Sequence, residues 1–491
     1  MKPKPAAPRA AKTSHMSNMS NQSEKTFPAA DADAGAPARD LFGIPRVALG
    51  EALAAASETK ALVVGRGCIG QAASLFGAQF PGGRAVIVAD KNTMRAAGGA
   101  LRSALAAGGI PQLEPFIFTD PNLYAEYKYV EQLTASLKTH DAIPVVAGSG
   151  AINDLVKRSA HECARPYFCA ATAASMDGYT AFGASITYRN AKQTLECPAP
   201  RAVLADIDVI KDAPPEMTAS GYADLLAKVT AGADWILADA LGEERIDTKA
   251  WAIVQGGLRD ALARPAEARN GDAAAIHALT EGLMLGGFAM QRTRSSRPAS
   301  GAEHQFSHLW DMEHHTHNGA APSHGFKVGV ATLAVTALYE QLLGMDAAGI
   351  DIDAACARWP DARTIEARTA AMFASSDFKE TALRETLAKH ITTDALRAQL
   401  ERLKIAWPDL RVKLRRQLFP AGETRRRLRE VGAPVEPEQI GITRARLRES
   451  FTKAFHIRRR FTVLDLAVRT GWLAPALEGI FGKASPLDGA T

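Results

Sequence analysis

The sequence predicts an α/β domain with a parallel sheet, followed by an all-α domain, and three observations indicate this fold class. Between about residues 60 and 150, short apolar runs alternate with helix-length segments, which is the pattern of parallel strands joined by crossover helices. From about residue 215 onward, apolar residues recur at intervals of three and four, as in helices. The 491 residues also exceed the usual size of a single core, so two domains are expected.

The first domain is predicted to extend over residues 40–210. Its strands are predicted at ALVV, RAVIVAD, FIFTD and AIPVVAGSG, with helices over Arg95 to Ala107 and Tyr124 to Leu137 between them. Residues 184–205 predict short strands with a turn at Arg189 to Lys192, which close this domain. Residues 211–480 are predicted to form the helical domain, and residues 1–39, rich in Ala, Pro, Ser and Asn, are predicted to be a disordered tail.

Composition excludes several classes of protein. The net charge of +5 is too close to balance to indicate a nucleic-acid partner, although it is compatible with an anionic substrate. Five scattered cysteines form no CxxC pair, which disfavours a disulfide framework or a thiolate zinc site and favours the cytoplasm. The basic N-terminus lacks the apolar core of a signal peptide, and the longest uncharged apolar stretch is too short to predict membrane insertion.

Two glycine-bearing runs could each bind a nucleotide phosphate. The run Gly65 to Gly70 follows an apolar strand and precedes a helical stretch, with Asp90 twenty residues further on, which is the spacing of a dinucleotide fingerprint. In the second run, Gly148-Ser149-Gly150-Ala151-Ile152, a buried strand ends in glycines that let backbone N–H groups approach a pyrophosphate. Either run could instead form a simple tight turn.

Asp90 closes the predicted strand RAVIVAD. A carboxylate at this position accepts hydrogen bonds from the ribose hydroxyls of NAD and repels the extra phosphate of NADP. The sequence therefore favours NAD over NADP, with a turn-forming aspartate as the alternative.

Six of the twelve histidines fall between residues 304 and 324, which predicts a metal site. His304 and His308 are four residues apart and share one face of a predicted helix, and His324 begins another helical run. Two histidines with one carboxylate and open positions form a common catalytic arrangement for zinc or ferrous iron. His314, His315 and His317 could also be ligands on spacing alone, although a loop is the favoured interpretation.

Taken together, the motifs resemble the glycerol-1-phosphate dehydrogenase family, within the group that also contains iron-type alcohol dehydrogenases, glycerol dehydrogenases and dehydroquinate synthases. The resemblance spans roughly residues 55–340. The segments that carry it are GSGAIND at 148, ATAASMDGYTAFGAS at 171, DIDVIKDAPPEMTASGYADLLAKVTAGADW at 206, RPASGAEHQFSH at 297 and HGFKVGVATL at 324. The implied fold is an α/β N-terminal nucleotide-binding domain with a parallel sheet, followed by an all-α C-terminal metal-binding domain.

The resemblance implies a role for each matching residue. Gly148 to Ile152 would bind the pyrophosphate of NAD, and Thr172 to Ser175 would line the nicotinamide side of the cleft. Asp224, His304 and His324 would bind one divalent metal, for which zinc, iron and nickel are all suitable. His308, Asp177 and Asp224 would contact the substrate, with Asp177 at its hydroxyl end and His308 also able to pass a proton at an ordinary pKa.

Two departures from the family pattern affect the site. Ala181 stands where the family usually has serine, which puts a cofactor contact in doubt, and the segment between His304 and His324 looks longer than in archaeal relatives. Arg297 and Lys327 flank the histidines and are candidates for binding a substrate phosphate.

The implied activity is metal-dependent, NAD(P)-linked reduction of dihydroxyacetone phosphate to sn-glycerol 1-phosphate by a homo-oligomer. Alternatives are a related dehydrogenase for another polyol or phosphorylated ketone, a lyase that uses NAD transiently, a metal-dependent hydrolase, and a non-enzymatic binding protein. The last alternative would use the arginine-rich stretch 411–460, whose arginines are more simply explained as lying on solvated helix faces.

Overall fold

The structure is a computed structural model that describes residues 45–188 and 191–482. The predicted N-terminal tail, residues 1–39, lies outside the described residues, and so does the first half of the predicted turn at 189–192. Within the described ranges, the predicted fold class is confirmed: a parallel sheet with flanking helices is followed by a part that is helical throughout.

Eight strands are found in the described ranges. They are β1 (Ala61–Gly65), β2 (Ala85–Asp90), β3 (Phe116–Phe118), β4 (Ile143–Gly148), β5 (Phe168–Ala171), β6 (Ala184–Tyr188), β7 (Ala191–Leu195) and β8 (Ala202–Asp206). Six of them form one parallel sheet in the order β1-β8-β5-β4-β2-β3, and β6 and β7 form an antiparallel hairpin. The inner strands β4, β5 and β8 are almost entirely buried, which explains their continuous apolar sequences.

The helices of the first part connect the strands. They are α1 (Leu49–Ala54), α2 (Ala72–Gln79), α3 (Lys91–Thr93), α4 (Gly99–Ala107), α5 (Tyr127–Leu137), α6 (Gly150–Glu162) and α7 (Ile207–Ile210), with a 3₁₀ turn at Cys68–Gln71 and a π-helical turn at Met94–Gly98. The helix predicted from Tyr124 begins only at Tyr127. The carbonyl oxygen of Ala125 accepts a hydrogen bond from the backbone N–H of Thr187, and Glu126 bridges to the same residue, so the preceding residues are held beside β6.

The second part is helical throughout its described length. Its helices are α8 (Pro215–Ala240), α9 (Thr248–Gln255), α10 (Leu258–Ala261), α11 (Pro265–Arg269), α12 (Ala273–Thr293), α13 (Ala302–Met312), α14 (His324–Leu343), α15 (Ile352–Arg358), α16 (Ala362–Met372), α17 (Lys379–Lys389), α18 (Thr393–Gln417), α19 (Ala421–Val431), α20 (Arg444–Lys453), α21 (Val463–Thr470) and α22 (Leu473–Phe481). Short 3₁₀ turns occur at Ala347–Gly349, Pro437–Ile440 and Ala454–His456.

Helix α8 is the central helix of this part. Every side chain from Thr218 to Ala238 is buried, and α8 packs against α9, α12, α13, α14 and α18. Glycines allow the closest approaches: a Cβ on Gly325 of α14 would overlap the carbonyl oxygen of Ser220, and one on Gly221 would overlap that of Ala174. The start of α14 and the loop after β5 are therefore both held directly against α8.

Two helices, α12 and α14, are long and apolar enough to span a membrane. In the folded chain, however, 67% of the apolar window of α12 and 83% of that of α14 are buried. Both helices therefore occupy the environment of core helices.

Candidate metal and nucleotide site

Asp224, His304 and His324 are brought together by three different helices. Asp224 lies near the middle of α8, His304 lies in the first turn of α13, and His324 is the first residue of α14. One potential ligand atom from each residue lies within 4.8 Å of the other two. This is the only such group among the described residues, and it contains the three residues proposed from the sequence.

Glu303 fixes the orientation of His304. Its Oε1 lies 2.8 Å from Nδ1 of His304 and accepts a hydrogen bond from the backbone N–H of Gly301, while its Oε2 accepts one from the Thr230 hydroxyl. The other ring nitrogen of His304, Nε2, lies 3.6 Å from Oδ1 of Asp224. A carboxylate that holds one ring nitrogen so that the other faces a metal is a common supporting contact for metal-binding histidines.

Lys228 links the two aspartates of the site. Its Nζ lies 2.7 Å from Oδ2 of Asp177 and 2.7 Å from Oδ1 of Asp224, and the lysine side chain is completely buried. The backbone N–H of Asp177 also donates to Oδ2 of Asp224, at 3.1 Å. The loop after β5 is thereby connected to the middle of α8.

The charges of the site shift its pKa values in different directions. Burial alone would raise the pKa of Asp224, but Lys228 and the two neighbouring histidines outweigh it and hold that pKa far below its usual range. Burial, together with the negative charge of Asp224, raises the pKa of Asp177. Burial lowers the pKa of His324 to about 3, so its ring is neutral and has a lone pair available for a metal.

His308 completes a triangle of imidazoles. Its ring centroid lies 6.3 Å from those of His304 and His324, which are themselves 5.3 Å apart. Burial, followed by the positive charge of Arg458, lowers the pKa of His308 well below its ordinary value. The expectation that His308 keeps an ordinary pKa was therefore wrong, because the sequence did not reveal either the burial or the nearby arginine.

The donor set matches a divalent metal. Two imidazole nitrogens and one carboxylate, with the neighbouring imidazole left over, are the donor types that zinc, iron and nickel accept together. Asp224 is ionised and His324 is neutral, so two of the three ligands already have the protonation state that metal binding requires. The residues present therefore fit the metal that the sequence predicted.

The second glycine run, at 148–152, lies at the centre of the parallel sheet. Strand β4 ends at Gly148, Ser149 precedes the helix, and α6 begins at Gly150. After β2 the chain goes on to β3 at one side of the sheet, and after β4 it goes on to β5 at the other side. Adjacent strands whose connections diverge leave a crevice at their carboxyl ends, which is where nucleotides bind in open α/β sheets.

The first glycine run differs in both position and contacts. It follows β1, which is at the edge of the sheet, and the backbone N–H groups of Gly67 and Ile69 donate to the carboxylate of Asp206 at 3.0 and 2.8 Å. Those donors are occupied within the chain, so this run acts as a strand-to-helix turn. Of the two candidates, only the run at 148–152 is at the divergence point.

Asp90 lies at the same crevice. It ends β2, and the register of β2 with β4, in which Val88 is opposite Val146, brings Asp90 level with Gly148 at the carboxyl edge. Its Oδ1 accepts a hydrogen bond from the backbone N–H of Thr93, so the carboxylate caps the following helix. Both predicted roles of Asp90, a ribose contact and a turn-forming aspartate, are compatible with that position.

Thr172 and Ser175 follow β5, next to the end of β4. The backbone N–H of Thr172 donates to the carbonyl oxygen of Gly148, and the Ser175 hydroxyl lies 3.1 Å from that of Tyr179. Ala181 is buried, and its carbonyl oxygen accepts a hydrogen bond from Nζ of Lys157. The position where the family usually has serine is thus packed into the interior in this chain.

The remaining histidines of the cluster belong to the loop between α13 and α14. His314 pairs with Asp377 at the surface, and Nε2 of His315 lies 2.6 Å from the carbonyl oxygen of Ile440. A Cβ on Gly441 would contact the ring of His317. All three are thus tied to the C-terminal helices and lie outside the metal group.

Neither predicted phosphate contact has a free side chain. Arg297 is buried and donates to the carbonyl oxygens of Phe461 and Asp234 at 2.8 Å, so it stabilises the interior. Lys327 pairs with Asp311. Closeness in sequence to the histidines was the basis of both predictions, and sequence separation does not determine the direction of a side chain.

The arginines of residues 411–460 mostly form ion pairs within the chain. Arg426 pairs with Glu423 and Glu430 at the surface, as expected for a solvated helix face. Arg446, in contrast, pairs with Glu313 and contacts His315, so it connects α20 to the loop after α13. Part of this stretch therefore holds α20 against the loop that joins α13 to α14.

Sequence reasoning missed Lys228 and Glu303. Lys228 lies four residues after Asp224, and a lysine on the same face of a strongly apolar helix is a signal that could have identified it. Glu303 directly precedes a candidate ligand, and nothing in its spacing distinguished it from a surface glutamate.

This fold and donor set define a class of proteins, the metal-dependent, NAD(P)-linked oxidoreductases that act on CH–OH groups. The family described as iron-containing alcohol dehydrogenase matches residues 63–214. The chain is 30% identical over 387 residues to a glycerol-1-phosphate dehydrogenase [NAD(P)+] of Geobacillus stearothermophilus, covering 78% of this chain and 85% of the relative. This chain belongs to the glycerol-1-phosphate dehydrogenase family.

A second relative agrees with this assignment, and a solved structure agrees with the fold. The glycerol-1-phosphate dehydrogenase [NAD(P)+] of Bacillus subtilis is 34% identical over 260 residues, covering 52% of this chain and 66% of the relative. The crystal structure of glycerol dehydrogenase from Schizosaccharomyces pombe has a TM-score of 0.54 at 15% identity, covering 86% of this chain and 90% of that one. At that identity, the second comparison bears on the fold alone.

Proposed function

We propose that this protein reduces dihydroxyacetone phosphate to sn-glycerol 1-phosphate, with NADH as the preferred reductant and zinc, nickel or iron at Asp224, His304 and His324. The observation that carries the proposal is the grouping of these three side chains within 4.8 Å. Its relatives at 29–34% identity bear the name of this activity.

When bound, a divalent metal supplies Lewis-acid polarisation of a ketone, and a reduced nicotinamide supplies hydride. The chain's own residues position these groups. Asp224 is buried within α8 and hydrogen-bonded by the backbone of Asp177, and His304 is held by Glu303, so two ligands have fixed orientations before substrate arrives. Preorganisation of this kind lowers the cost of reaching the transition state.

Asp177 is the proposed partner of a substrate hydroxyl. Lys228 occupies its Oδ2, whereas no hydrogen bond to its Oδ1 is found among the described residues. A hydroxyl group can donate to that oxygen. The lysine also offsets the negative charge of the two neighbouring carboxylates, so the site tolerates an anionic substrate better than a bare pair of aspartates would.

His308 is the proposed second substrate contact. Reduction of a ketone takes up one proton in addition to hydride, and a ring nitrogen of His308 can pass that proton from solvent or hydrogen-bond the substrate oxygen. If His308→Ala keeps full activity, the residue has no part in catalysis.

The nucleotide is proposed to bind in the crevice between β2 and β4. Backbone N–H groups in the first turn of α6 would bind the pyrophosphate there, and the positive end of the helix dipole favours an anion at this position. Asp90 would accept from the adenosine ribose, which supports NAD over NADP. Thr172 and Ser175, in the loop that also leads to Asp177, would border the nicotinamide.

The test is oxidation of NADH by the purified protein with dihydroxyacetone phosphate, measured before and after chelation and after adding back zinc, nickel or ferrous iron. Chiral analysis of the product separates the two glycerol phosphate stereoisomers. Metal-dependent formation of the sn-1 product is expected. Faster reduction of another phosphorylated ketone in this assay, or faster oxidation of another polyol in the reverse direction with NAD+, would indicate a different dehydrogenase activity.

A further inference from the structure

The side chain of Arg458 carries a charge that neither the packing of the helices nor the metal site uses. It lies in the extended segment between the 3₁₀ turn Ala454–His456 and α21, and it is partly buried. Among the described residues it has no hydrogen bond and no ion pair. Its two successors are both engaged: Arg459 forms three hydrogen bonds to Glu385, and Arg460 donates to the Ser300 carbonyl and the Ser296 hydroxyl.

The path of this segment brings Arg458 to the face of α13 that carries His308. Nε2 of Gln305 donates to the carbonyl oxygen of Arg460 at 3.3 Å, which holds the segment against α13. His308 lies three residues after Gln305, on the same face and about 4.5 Å further along the helix axis. Arg458 lies two residues before Arg460, about 6.6 Å away along an extended chain. The preceding 3₁₀ turn also packs against α13, so the segment continues along this helix.

The charges around Arg458 leave its cation available. Arg458 lines a cavity together with three carboxylates, and each of them already has another cationic partner. Glu385 pairs with Arg459, Glu243 with Arg469 and Glu244 with Arg297. The other cation near His308, Lys327, is paired with Asp311.

We propose that Arg458 binds the phosphate group of the substrate and gives the enzyme its preference for a phosphorylated ketone. This inference rests on the proposed function. A phosphate monoester dianion needs cationic donors, and a guanidinium offers two parallel N–H groups that match its oxygens. Asp177 would then bind the hydroxyl end of the substrate and Arg458 the opposite end, with the reacting carbonyl between them.

The experiment compares two substrates that differ only in the phosphate. The value of kcat/KM is measured for dihydroxyacetone phosphate and for dihydroxyacetone, using the metal-loaded enzyme with saturating NADH, in the wild type, Arg458→Gln, Arg458→Lys and Arg459→Gln. Arg458→Gln is expected to lower kcat/KM for the phosphorylated substrate about ten- to a hundredfold and to leave that for dihydroxyacetone unchanged. For Arg458→Lys, kcat/KM for dihydroxyacetone phosphate should lie between those of the wild type and Arg458→Gln, because lysine keeps the charge but lacks the planar guanidinium.

Arg459→Gln is the matched control, since the neighbouring arginine is exposed and paired with Glu385. Arg459→Gln should keep the wild-type ratio of kcat/KM for dihydroxyacetone phosphate to that for dihydroxyacetone. An unchanged ratio in Arg458→Gln, or an equal loss on both substrates in Arg458→Gln and Arg458→Lys, would overturn the inference while leaving the proposed function intact. Equal kcat/KM for the two ketones in the wild type would also overturn the inference alone, whereas no turnover of dihydroxyacetone phosphate by the wild type would overturn both.

Discussion

Nδ1 of His304 lies 2.8 Å from Oε1 of Glu303, so one metal ligand is oriented by the residue directly before it in the chain. The carboxylate is itself held by the Thr230 hydroxyl and the backbone N–H of Gly301. Buried and fully hydrogen-bonded, Glu303 fixes both the tautomer and the direction of the ring when His304 binds a metal.

Replacing Glu303 with glutamine should weaken metal binding. The side chain keeps its shape, but the negative charge that increases the basicity of the imidazole is lost, so affinity for zinc is expected to fall about 10- to 100-fold. Competition with a chromophoric chelator measures this directly, and activity should recover when excess zinc is added. Glu449→Gln, which removes an exposed partner of Lys453, is the control and should bind zinc like the wild type.

Replacing Lys228 with methionine should destabilise the metal-free protein more than the metal-loaded one. The substitution leaves Asp177 and Asp224 buried without their shared cation, which typically costs about 3–5 kcal/mol. A bound metal supplies positive charge at the same carboxylate and offsets part of the loss. Thermal unfolding with and without zinc tests this. Equal shifts in the two states, or a shift no larger than that of Lys453→Met, would contradict it.

Asp90→Ser should relax the preference for NADH. Serine caps a helix about as well as aspartate, so the bond to the Thr93 N–H is retained while the negative charge that repels a 2′-phosphate is removed. The ratio of kcat/KM for NADPH to that for NADH is expected to rise at least about tenfold. Asp272→Ser changes a similar helix-capping aspartate, at the start of α12, and should leave the ratio unchanged.

Gly325→Ala should disturb the metal site through packing. A Cβ at this position would overlap the carbonyl oxygen of Ser220, so the start of α14, and His324 with it, must shift. A loss of about 1–3 kcal/mol in the free energy of unfolding is expected, together with weaker zinc binding. Gly422→Ala is the control on α19, where a Cβ meets nothing within 4 Å, and it should be neutral or slightly stabilising.

His456 should make the fold sensitive to acid. Burial, followed by the charge of Lys389, lowers its pKa to about 3, while the Thr386 hydroxyl lies 3.0 Å from Nδ1. Below pH about 6.5 the unfolded chain takes up a proton that the folded chain does not, so stability is lost as the pH falls from about 6.5 towards 3. Between pH 7.5 and 5.5 the wild type should lose about 1.4 kcal/mol more than His456→Gln in urea unfolding. Parallel losses would rule out this origin.

The parts of the site that could be predicted from sequence are those with local signals. The spacing of His304 and His308 reports one face of a helix, and the glycines at 148 and 150 report the end of a buried strand. Asp224 lies eighty residues before His304, and only the family resemblance connected the two. Their contact depends on how α8 packs against α13, which no local pattern encodes.

The remaining errors have similar physical causes. Arg297 lies near the histidines in sequence, but its side chain is directed into the interior, towards Asp234 and Phe461. Arg458, the proposed phosphate contact, was not identified at all, because it lies 150 residues after His308 and the bond that holds its segment against α13, between Gln305 and Arg460, has no local signal. The choice between the two glycine runs likewise depended on the order of the strands, which is determined by the whole sheet.

The position of β8 has a consequence for synthesis of the chain. In the parallel sheet, β1 pairs with β8, and β8 in turn pairs with β5. A nascent chain can therefore align β2, β3, β4 and β5 before residue 202 has been synthesised. Strand β1 cannot pair until β8, about 140 residues later in the chain, is available. Fragments that stop short of Asp206 would expose the unpaired edges of β1 and β5, so expression of the first domain alone should require a boundary beyond that residue.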